Sequence, residues 1–262
     1  MDAVYSENGS YAPWYNERES VRVVKFADKI SPKATAYWFF DCRNLQHVDN
    51  IRNLDTASVT NMRDMFGGCN GLTALDVSHF DTANVTDMAS LFSGCSGLTA
   101  LDVSHFDTAN VTYMFGMFDG CSGLTALDVS HFDTANVTYM TSMFGGCNGL
   151  TALDVSHFDT ANVMSMSSMF WGCSGLTALD VSHFDTANVT YMSSMFDGCS
   201  GLKTIYASEK FTIASVIYGS FMFKDCWSLV GGAGTKYDSG YVDKAYARID
   251  GGASAPGYFT RK

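Results

Sequence analysis

Serine, histidine and aspartate recur close together in the middle of the chain, first at Ser78, His79 and Asp81 and then in four further copies. These three residue types form the catalytic triad of many hydrolases. A triad, however, needs groups that converge from separate segments, an oxyanion hole and one enclosed pocket. Five equivalent copies would instead make five shallow sites on an open surface. The pattern therefore predicts a ladder of surface side chains and no enzyme.

Eight cysteines are spaced 26 or 27 residues apart. An even number is compatible with disulfides, which an extracellular protein could form. A position on the apolar side of each repeat unit favours instead a column of buried free thiols, because cysteine is among the residues most often found inside proteins. No C-x-x-C or Cys/His ligand spacing is present, so we expect neither a zinc site nor a cofactor. The cysteines are Cys42, Cys69, Cys95, Cys121, Cys147, Cys173, Cys199 and Cys226.

Two rows of aspartates repeat with the same period. The first is expected to face outward with neighbours about 5 Å apart, where repulsion costs about 1 kcal/mol per pair in water. It predicts either a solvated face with raised aspartate pKa values or a site for a cation or a basic ligand. Calcium stays open, although no D-x-D-x-D loop is visible. The first row is Asp76, Asp102, Asp128, Asp154 and Asp180.

The second row precedes a predicted helical turn, whose free N–H groups accept a carboxylate, so it is interpreted as structural. An asparagine three residues later is expected to cap backbone in the same way. The second row is Asp81, Asp107, Asp133, Asp159 and Asp185, and the asparagines are Asn84, Asn110, Asn136, Asn162 and Asn188.

The charge distribution restricts the partners. The formal net charge is −11, and no Lys or Arg lies between Arg63 and Lys203. Repulsion therefore disfavours a nucleic acid or an anionic membrane as the partner of the middle of the chain. No stretch of 18 apolar residues is present, and residues 1–18 lack the charged and apolar regions of an export signal. We expect no membrane insertion of this segment.

A strict internal repeat positions all these side chains. The string LTALDVSHFDTANV begins at Leu72, Leu98, Leu124, Leu150 and Leu176, with a period of 26 residues. The alternation around Leu75 and Val77 predicts a short strand. Apolar residues at Val85, Met88, Leu91, Phe92 and Cys95 fall on one side of a predicted short helix or helical turn. Gly94 and Gly97 bracket the end of this segment, where a left-handed residue is expected to let the chain reverse into the next strand.

These units predict an α/β repeat solenoid, a leucine-rich-repeat-like right-handed coil. A parallel sheet would lie on one side, and short helices or helical turns on the other. We expect one continuous domain. Residues 1–44 would form an N-terminal cap and a first degenerate coil, residues 45–228 the repeats, and residues 229–262 a C-terminal cap.

The repeats differ mainly on the predicted helical side. The position of Asp87 becomes tyrosine in three later repeats, the position of Ala89 becomes phenylalanine, and the position of Ser93 becomes tryptophan. Exposed aromatic side chains are typical of contact surfaces, although packing over neighbouring coils would explain them equally well. The candidate ligand-binding residues are therefore the first aspartate row and these aromatics: Tyr113, Phe115, Tyr139, Trp171 and Tyr191.

The motif L-x-x-L-D-V-S-x-F-D-T-x-x-V-T-x-M-x-x-M-F-x-G-C resembles the repeat of BspA-type leucine-rich-repeat surface proteins. The resemblance spans nearly the whole chain. Trp14, Tyr15 and Arg18 are similar to that family's N-terminal cap. The C-terminal closing segment is also similar, at Tyr246, Arg248, Asp250, Gly251, Gly252, Pro256, Gly257 and Phe259. On this basis we expect the domain to be complete.

The resemblance implies an exported or surface-attached bacterial protein whose relatives are assigned to adhesion. We therefore expect a non-catalytic module of the cell surface that binds a protein or a glycan, of host matrix or cell-surface origin. One alternative is a structural spacer or stalk that presents another domain. Another is a calcium-dependent interaction scaffold.

Overall fold

The repeats stack in register, so that equivalent residues of successive repeats lie next to one another. The computed structural model describes residues 12 and 14–262. Residues 1–11 and 13 lie outside the described part. They make up most of residues 1–18, in which the sequence has no features of an export signal. Phenylalanines at the position of Phe92 form one column through the core, with Phe92 and Phe118 parallel and their centroids 5.9 Å apart. Stacking buries an apolar face that no single repeat could bury alone.

The core contains the residues that the repeat pattern predicts to be inside. Val85, Met88, Leu91, Phe92 and Cys95 are completely buried, and their equivalents in the following repeats are buried as well. All eight cysteines are buried free thiols. Seven of them donate the S–H to the carbonyl of a phenylalanine in the preceding repeat, as Cys121 does to Phe92 at 3.1 Å. The thiol column therefore adds a hydrogen bond to each contact between repeats.

Within the part of the chain that the structure describes, regular strands occur only towards the two ends of the stack. β1 (Val23–Lys25) pairs in parallel with β2 (His47–Asp49). β3 (Ala178–Asp180), β4 (Thr204–Ala207) and β5 (Phe259–Arg261) form a second parallel sheet in the order β3-β4-β5. The predicted strands at 75–77, 101–103, 127–129 and 153–155 are extended backbone without regular pairing. The prediction of a continuous sheet is therefore wrong for these four repeats.

The opposite side of each repeat is a run of overlapping turns, which we call the turn strip and which spans 87–94 in the repeat that starts at Leu72. Over the described residues, the helices are single 3-10 turns at Tyr15–Glu17, Ile51–Asn53, Lys244–Tyr246 and Gly252–Ser254. None of these 3-10 turns lies in a turn strip, so the predicted helices or helical turns are absent there.

Hydrogen bonds between repeats replace the helical ones. The N–H groups of Met88, Ser90, Phe92 and Gly94 donate to carbonyls of the next repeat at 2.6–3.0 Å. Ser90 and Gly94 have positive φ angles of 54° and 71°, which interrupt an α-helix but suit the third residue of a tight turn. The expected left-handed residue is thus confirmed at Gly94, whereas Gly97 has no positive φ angle. Apolar residues spaced three and four apart are buried whether the segment is a helix or a run of turns. The periodicity of the sequence therefore could not distinguish a helix from the turn strip.

Polar side chains that precede the turn strip reinforce the stack. Thr82 donates its hydroxyl to the carbonyl of Asp107 at 2.9 Å, and this bond recurs along the column. Asn110 donates its amide to the carbonyl of Ala83 in the preceding repeat at 2.8 Å. The asparagines therefore bridge neighbouring repeats. The sequence had suggested that they cap the backbone of a helical turn, and this is not what they do.

Different hydrogen bonds close the two ends of the stack. At the N-terminal end, the indole of Trp14 donates to the carbonyl of Trp38. At the C-terminal end, Phe221 N–H donates to a carboxylate oxygen of Asp243 at 2.8 Å, and Phe223 N–H donates to the carbonyl of Val242. These groups take the place that a further repeat would occupy.

Asp250 holds the closing segment in place. Its carboxylate accepts hydrogen bonds from the backbone of Ala233, Thr235 and Gly252 and from the Thr235 hydroxyl, at 2.7–3.0 Å. Burial disfavours the ionised carboxylate, but these hydrogen bonds outweigh burial and lower the pKa of Asp250 to about 2. Asp250 therefore stays ionised at neutral pH and fixes two loops together.

Candidate functional site

A continuous groove runs along the extended segments, across the repeats. We call it the Ala–Leu–Asp groove, because each central repeat lines it with an alanine, a leucine and an aspartate, as at Ala126, Leu127 and Asp128. These three residues belong to both halves of the groove, which have volumes of about 650 and 520 Å³. The alanine and the aspartate are exposed, whereas the leucine is buried. This alternation follows from the extended backbone, which turns successive side chains to opposite faces.

The first aspartate row forms one wall of this groove. Each carboxylate accepts the N–H of the serine two residues later, for example Ser104 N to Asp102 Oδ1 at 3.0 Å. Hydrogen bonds from Ser104 lower the pKa of Asp102, and the same arrangement lowers the pKa of Asp128 and Asp154. Asp76 also accepts the Ser78 hydroxyl, at 2.6 Å, and its pKa is about 2. The predicted rise in aspartate pKa is therefore wrong, because the serine donors outweigh the effect of burial at Asp76, Asp102 and Asp128, and also the repulsion from Asp180 at Asp154.

Basic side chains pair with both ends of the row. Arg52 Nη2 lies 3.1 Å from Asp76 Oδ2, and Lys262 Nζ contacts Asp180 Oδ2. Lys262 also lies over the ring of Tyr206, with 5.9 Å from Nζ to the ring centroid. Within residues 12 and 14–262, Asp102, Asp128 and Asp154 have no ion pair.

The predicted aromatic residues lie on the turn strip, on the side of the repeats opposite the extended segments. Tyr113, Tyr139, Ser165 and Tyr191 occupy one column of parallel bridges between repeats. Tyr113 and Tyr139 stack with centroids 5.9 Å apart and ring planes 9° apart. The rings therefore pack on each other, as one of the two explanations expected, and Tyr113 is still 41% exposed.

Trp171 and Tyr191 are the most exposed of the predicted aromatic residues, at 48% and 45%. Phe115 is different, because it is only partly exposed and Arg63 lies over its ring, with 4.7 Å from Cζ to the centroid. Arg63 also pairs with Asp87 at 2.9 Å. Phe115 therefore contacts a cation of its own chain.

Sequence reasoning missed an apolar extension of the turn strip in the last repeat. Ile217, Tyr218 and Phe221 are 67%, 54% and 54% exposed, and Tyr218 stacks on Tyr191 with 5.0 Å between centroids. The signal was present in the sequence, since the last repeat replaces Thr190 and Ser194 by Ile217 and Phe221.

The serine, histidine and aspartate of each repeat do not form a triad. Ser78 bonds to Asp76, and Asp81 accepts the N–H of Ala83 at 3.1 Å. In the next repeat, His105 Nε2 donates to the carbonyl of Val77 at 2.7 Å, and its ring lies edge-on to Phe106. In the last copy, the Ser182 hydroxyl lies 3.3 Å from His183 Nδ1, but Asp185 accepts the N–H of Ala187, so the three groups do not align as a triad there either. The second aspartate row thus closes local turns and does not cap helices.

The described residues contain no group of three or more His, Cys, Asp or Glu side chains arranged to hold a metal ion. They also contain no helix with the length and apolar character needed to cross a bilayer.

Comparisons with known proteins place the chain in a family. None of the curated proteins matches it. Among solved structures, it is similar to the crystal structure of a leucine-rich repeat protein from Bacteroides ovatus ATCC 8483 at 1.19 Å resolution. The sequence identity is 15%, the coverage is 88% of this chain and 81% of that chain, and the TM-score is 0.35. A family model matches residues 33–151 and 143–248, so the chain belongs to the family described as Mycoplasma protein of unknown function, DUF285.

Proposed function

We propose that this protein is a non-catalytic binding module of the bacterial cell surface, which recognises a protein or glycan ligand through the turn strip. The observation that carries the proposal is the exposure of Tyr113, Trp171 and Tyr191 at variable positions, while the unvarying aromatic positions of the repeat are buried. Aromatic side chains give large contact area at low entropic cost, which makes them frequent anchors of interfaces.

Two further observations support a contact role. Ile217, Tyr218 and Phe221 continue the exposed strip, and contiguous apolar surface of this kind is uncommon on a protein without partners. The resemblance to BspA-type surface proteins points to adhesion and to an exported location. Family membership by itself names no ligand.

A binding panel of matrix proteins and surface glycans tests this proposal. We expect the quadruple variant Tyr113→Ala, Tyr139→Ala, Trp171→Ala, Tyr191→Ala to lose at least about tenfold in affinity for any ligand found, because anchor residues commonly contribute about 2 kcal/mol each. The matched control changes exposed threonines outside the turn strip to alanine, at Thr99, Thr125, Thr151 and Thr177. If both variants bind as tightly as the unchanged protein, the turn strip is not the binding surface.

The near-identity of five repeats favours a second candidate, a spacer that projects another domain. Deleting residues 124–149 removes one whole repeat and joins equivalent positions. A spacer should keep full function with a shorter reach, whereas a surface that uses several repeats should bind its ligand more weakly. Affinity measured before and after the deletion separates the two candidates.

A further inference from the structure

The carboxylates of the first aspartate row are arranged in the same way along the Ala–Leu–Asp groove. They differ in whether a cation of the chain contacts them. The five aspartates of the first row each use Oδ1 to accept the N–H of the serine two residues later. At the two ends of the row, Oδ2 contacts a cation of the chain itself, Arg52 or Lys262. In the three central repeats of the row, Oδ2 of Asp102, Asp128 and Asp154 has no cation partner among the described residues.

The two ends show how a basic side chain fits this wall. Arg52 Nη2 contacts Asp76 Oδ2 at 3.1 Å and the Ser78 hydroxyl at 3.2 Å, so the guanidinium bridges both groups of one repeat. Lys262 lies in the groove itself, with its ammonium between Asp180 and the face of Tyr206. The same aspartate and serine positions recur in each central repeat, so an arginine or lysine from another chain would meet equivalent groups there.

The rest of the groove suits an extended polypeptide. Its floor is apolar, with Leu101, Leu127 and Leu153 beneath a row of exposed alanines. Small side chains leave room for a backbone to approach closely. No Lys or Arg lies between residues 64 and 202, so no lysine or arginine of these repeats competes for the carboxylates.

Spacing defines the ligand further. Stacked repeats are about 5–6 Å apart, as the phenylalanine centroids show. In an extended chain, side chains on the same face are about 6.6 Å apart, which is close enough for long flexible cations to meet successive carboxylates. Contiguous basic residues would point alternately towards the groove and away from it.

We infer that the Ala–Leu–Asp groove binds an extended polypeptide segment with Lys or Arg at alternate positions, whose cations pair with Asp102, Asp128 and Asp154. The inference rests on the proposed function in that it takes the protein to be a binding module. It assigns a second surface and a second ligand chemistry, independent of the aromatic residues of the turn strip.

Fluorescence anisotropy with a labelled peptide of alternating lysine and threonine tests the inference. We expect the triple variant Asp102→Asn, Asp128→Asn, Asp154→Asn to weaken binding at least about tenfold, because asparagine keeps the turn with serine but removes three charges. The matched control is Asp107→Asn, Asp133→Asn, Asp159→Asn, which changes the net charge equally on turns outside the groove. Its affinity should stay within about twofold of that of the unchanged protein.

Two further arms make the result specific. A peptide of the same composition with contiguous lysines should bind more weakly than the alternating one. The variant Arg52→Ala, Lys262→Ala should bind the alternating peptide more tightly, because it frees Asp76 and Asp180, whereas Lys29→Ala, Lys33→Ala changes the net charge equally and should do so much less.

The inference is overturned if the alternating peptide does not bind, or if both triple variants weaken binding equally, which would mean attraction to net charge alone. Neither result bears on the turn strip, whose test uses a different ligand panel and different variants. Conversely, a negative result for the aromatic residues of the turn strip would not change the peptide measurements.

Discussion

At the scale of single residues, the glycines at the position of Gly123 lie where one repeat passes very close to the one before. A Cβ atom added at Gly123 would lie 2.6 Å from the carbonyl oxygens of both Leu98 and Ser96. Backbone oxygens cannot move away without separating the repeats. This glycine is fixed by close approach and not by its φ angle.

We therefore expect Gly123→Ala to lower the free energy of unfolding by about 1–3 kcal/mol, the usual cost of forcing extra volume into a packed region. Urea denaturation measures the change. Gly240→Ala is the control, because Gly240 is exposed and its nearest neighbour would be 3.3 Å away. A Gly123 variant as stable as the control would contradict the close approach.

Asp250 provides a pH-dependent contribution to stability. Its folded pKa of about 2 is below the value of about 4 for an aspartate in an unfolded chain. The stabilisation from its ionised form is therefore fully present above pH of about 4 and is lost as the pH falls towards 2. Asp250→Asn should destabilise the protein on the order of 2 kcal/mol at pH 7, because hydrogen bonds to a charged group are lost.

The difference in unfolding free energy between the protein and Asp250→Asn should shrink as the pH falls from 5 to 2. Urea denaturation across this range measures it, with Asp238→Asn as a charge-matched control at an exposed position. A difference that stays constant with pH would mean that the variant acts through packing and not through charge.

The thiol column should be unreactive in the folded protein. Burial raises the pKa of Cys42 to about 11 and those of Cys173 and Cys226 to about 12, so almost no thiolate is present at neutral pH. We expect Ellman's reagent to react negligibly with the native protein and with all eight thiols after unfolding in guanidinium. Rapid reaction of several thiols in native buffer would show that the repeats open.

At the scale of elements, the turn strip depends on backbone conformations that most residues avoid. Ser142, Ser168 and Ser194 have φ angles of 53–56°, and Gly116 holds the equivalent position in another repeat at 61°. The glycine in one repeat was the available signal for a left-handed position. The serines at this position in the other repeats gave no such signal, because serine is also common in helices and turns of ordinary geometry. This is the main reason why the sequence predicted helical turns.

Ser168→Val should destabilise the protein by about 1–2 kcal/mol, since a branched side chain at positive φ clashes with its own backbone. Ser167→Val is the matched control, because Ser167 is half-buried in the same strip and has no positive φ. Thermal unfolding followed by circular dichroism measures both variants. Equal effects would mean that burial and not backbone conformation limits this position.

At the scale of the whole molecule, the sequence predicted stacking and the identity of the buried residues, because both follow from repetition of apolar positions. It did not predict which side carries the hydrogen bonds between repeats. Leu75 and Val77 suggested a paired strand, yet the paired side is the one with Asp87 and Tyr113. The candidate residues Tyr113 and Asp102 were found as surface positions, but the serine donors that lower the pKa of the aspartates are visible only in three dimensions.

Net charge should make the stack sensitive to salt. The chain carries a formal charge of −11, and three adjacent groove aspartates have no cation partner among the described residues. Added NaCl should raise the melting temperature by a few degrees, roughly 2–4 °C for each kcal/mol of repulsion screened. Asp128→Asn should reduce this rise more than Asp133→Asn does, and equal reductions would show that the row has no special role.

Most backbone hydrogen bonds between neighbouring turn strips run in one direction, since Met88, Ser90, Phe92 and Gly94 each donate to the repeat that follows. The molecule is therefore polar along its length, with acceptors facing one terminus and donors facing the other. Two copies meeting by equal ends under two-fold symmetry would oppose donor to donor or acceptor to acceptor. Any lengthening of this protein, by gene duplication or by association, has to proceed head to tail.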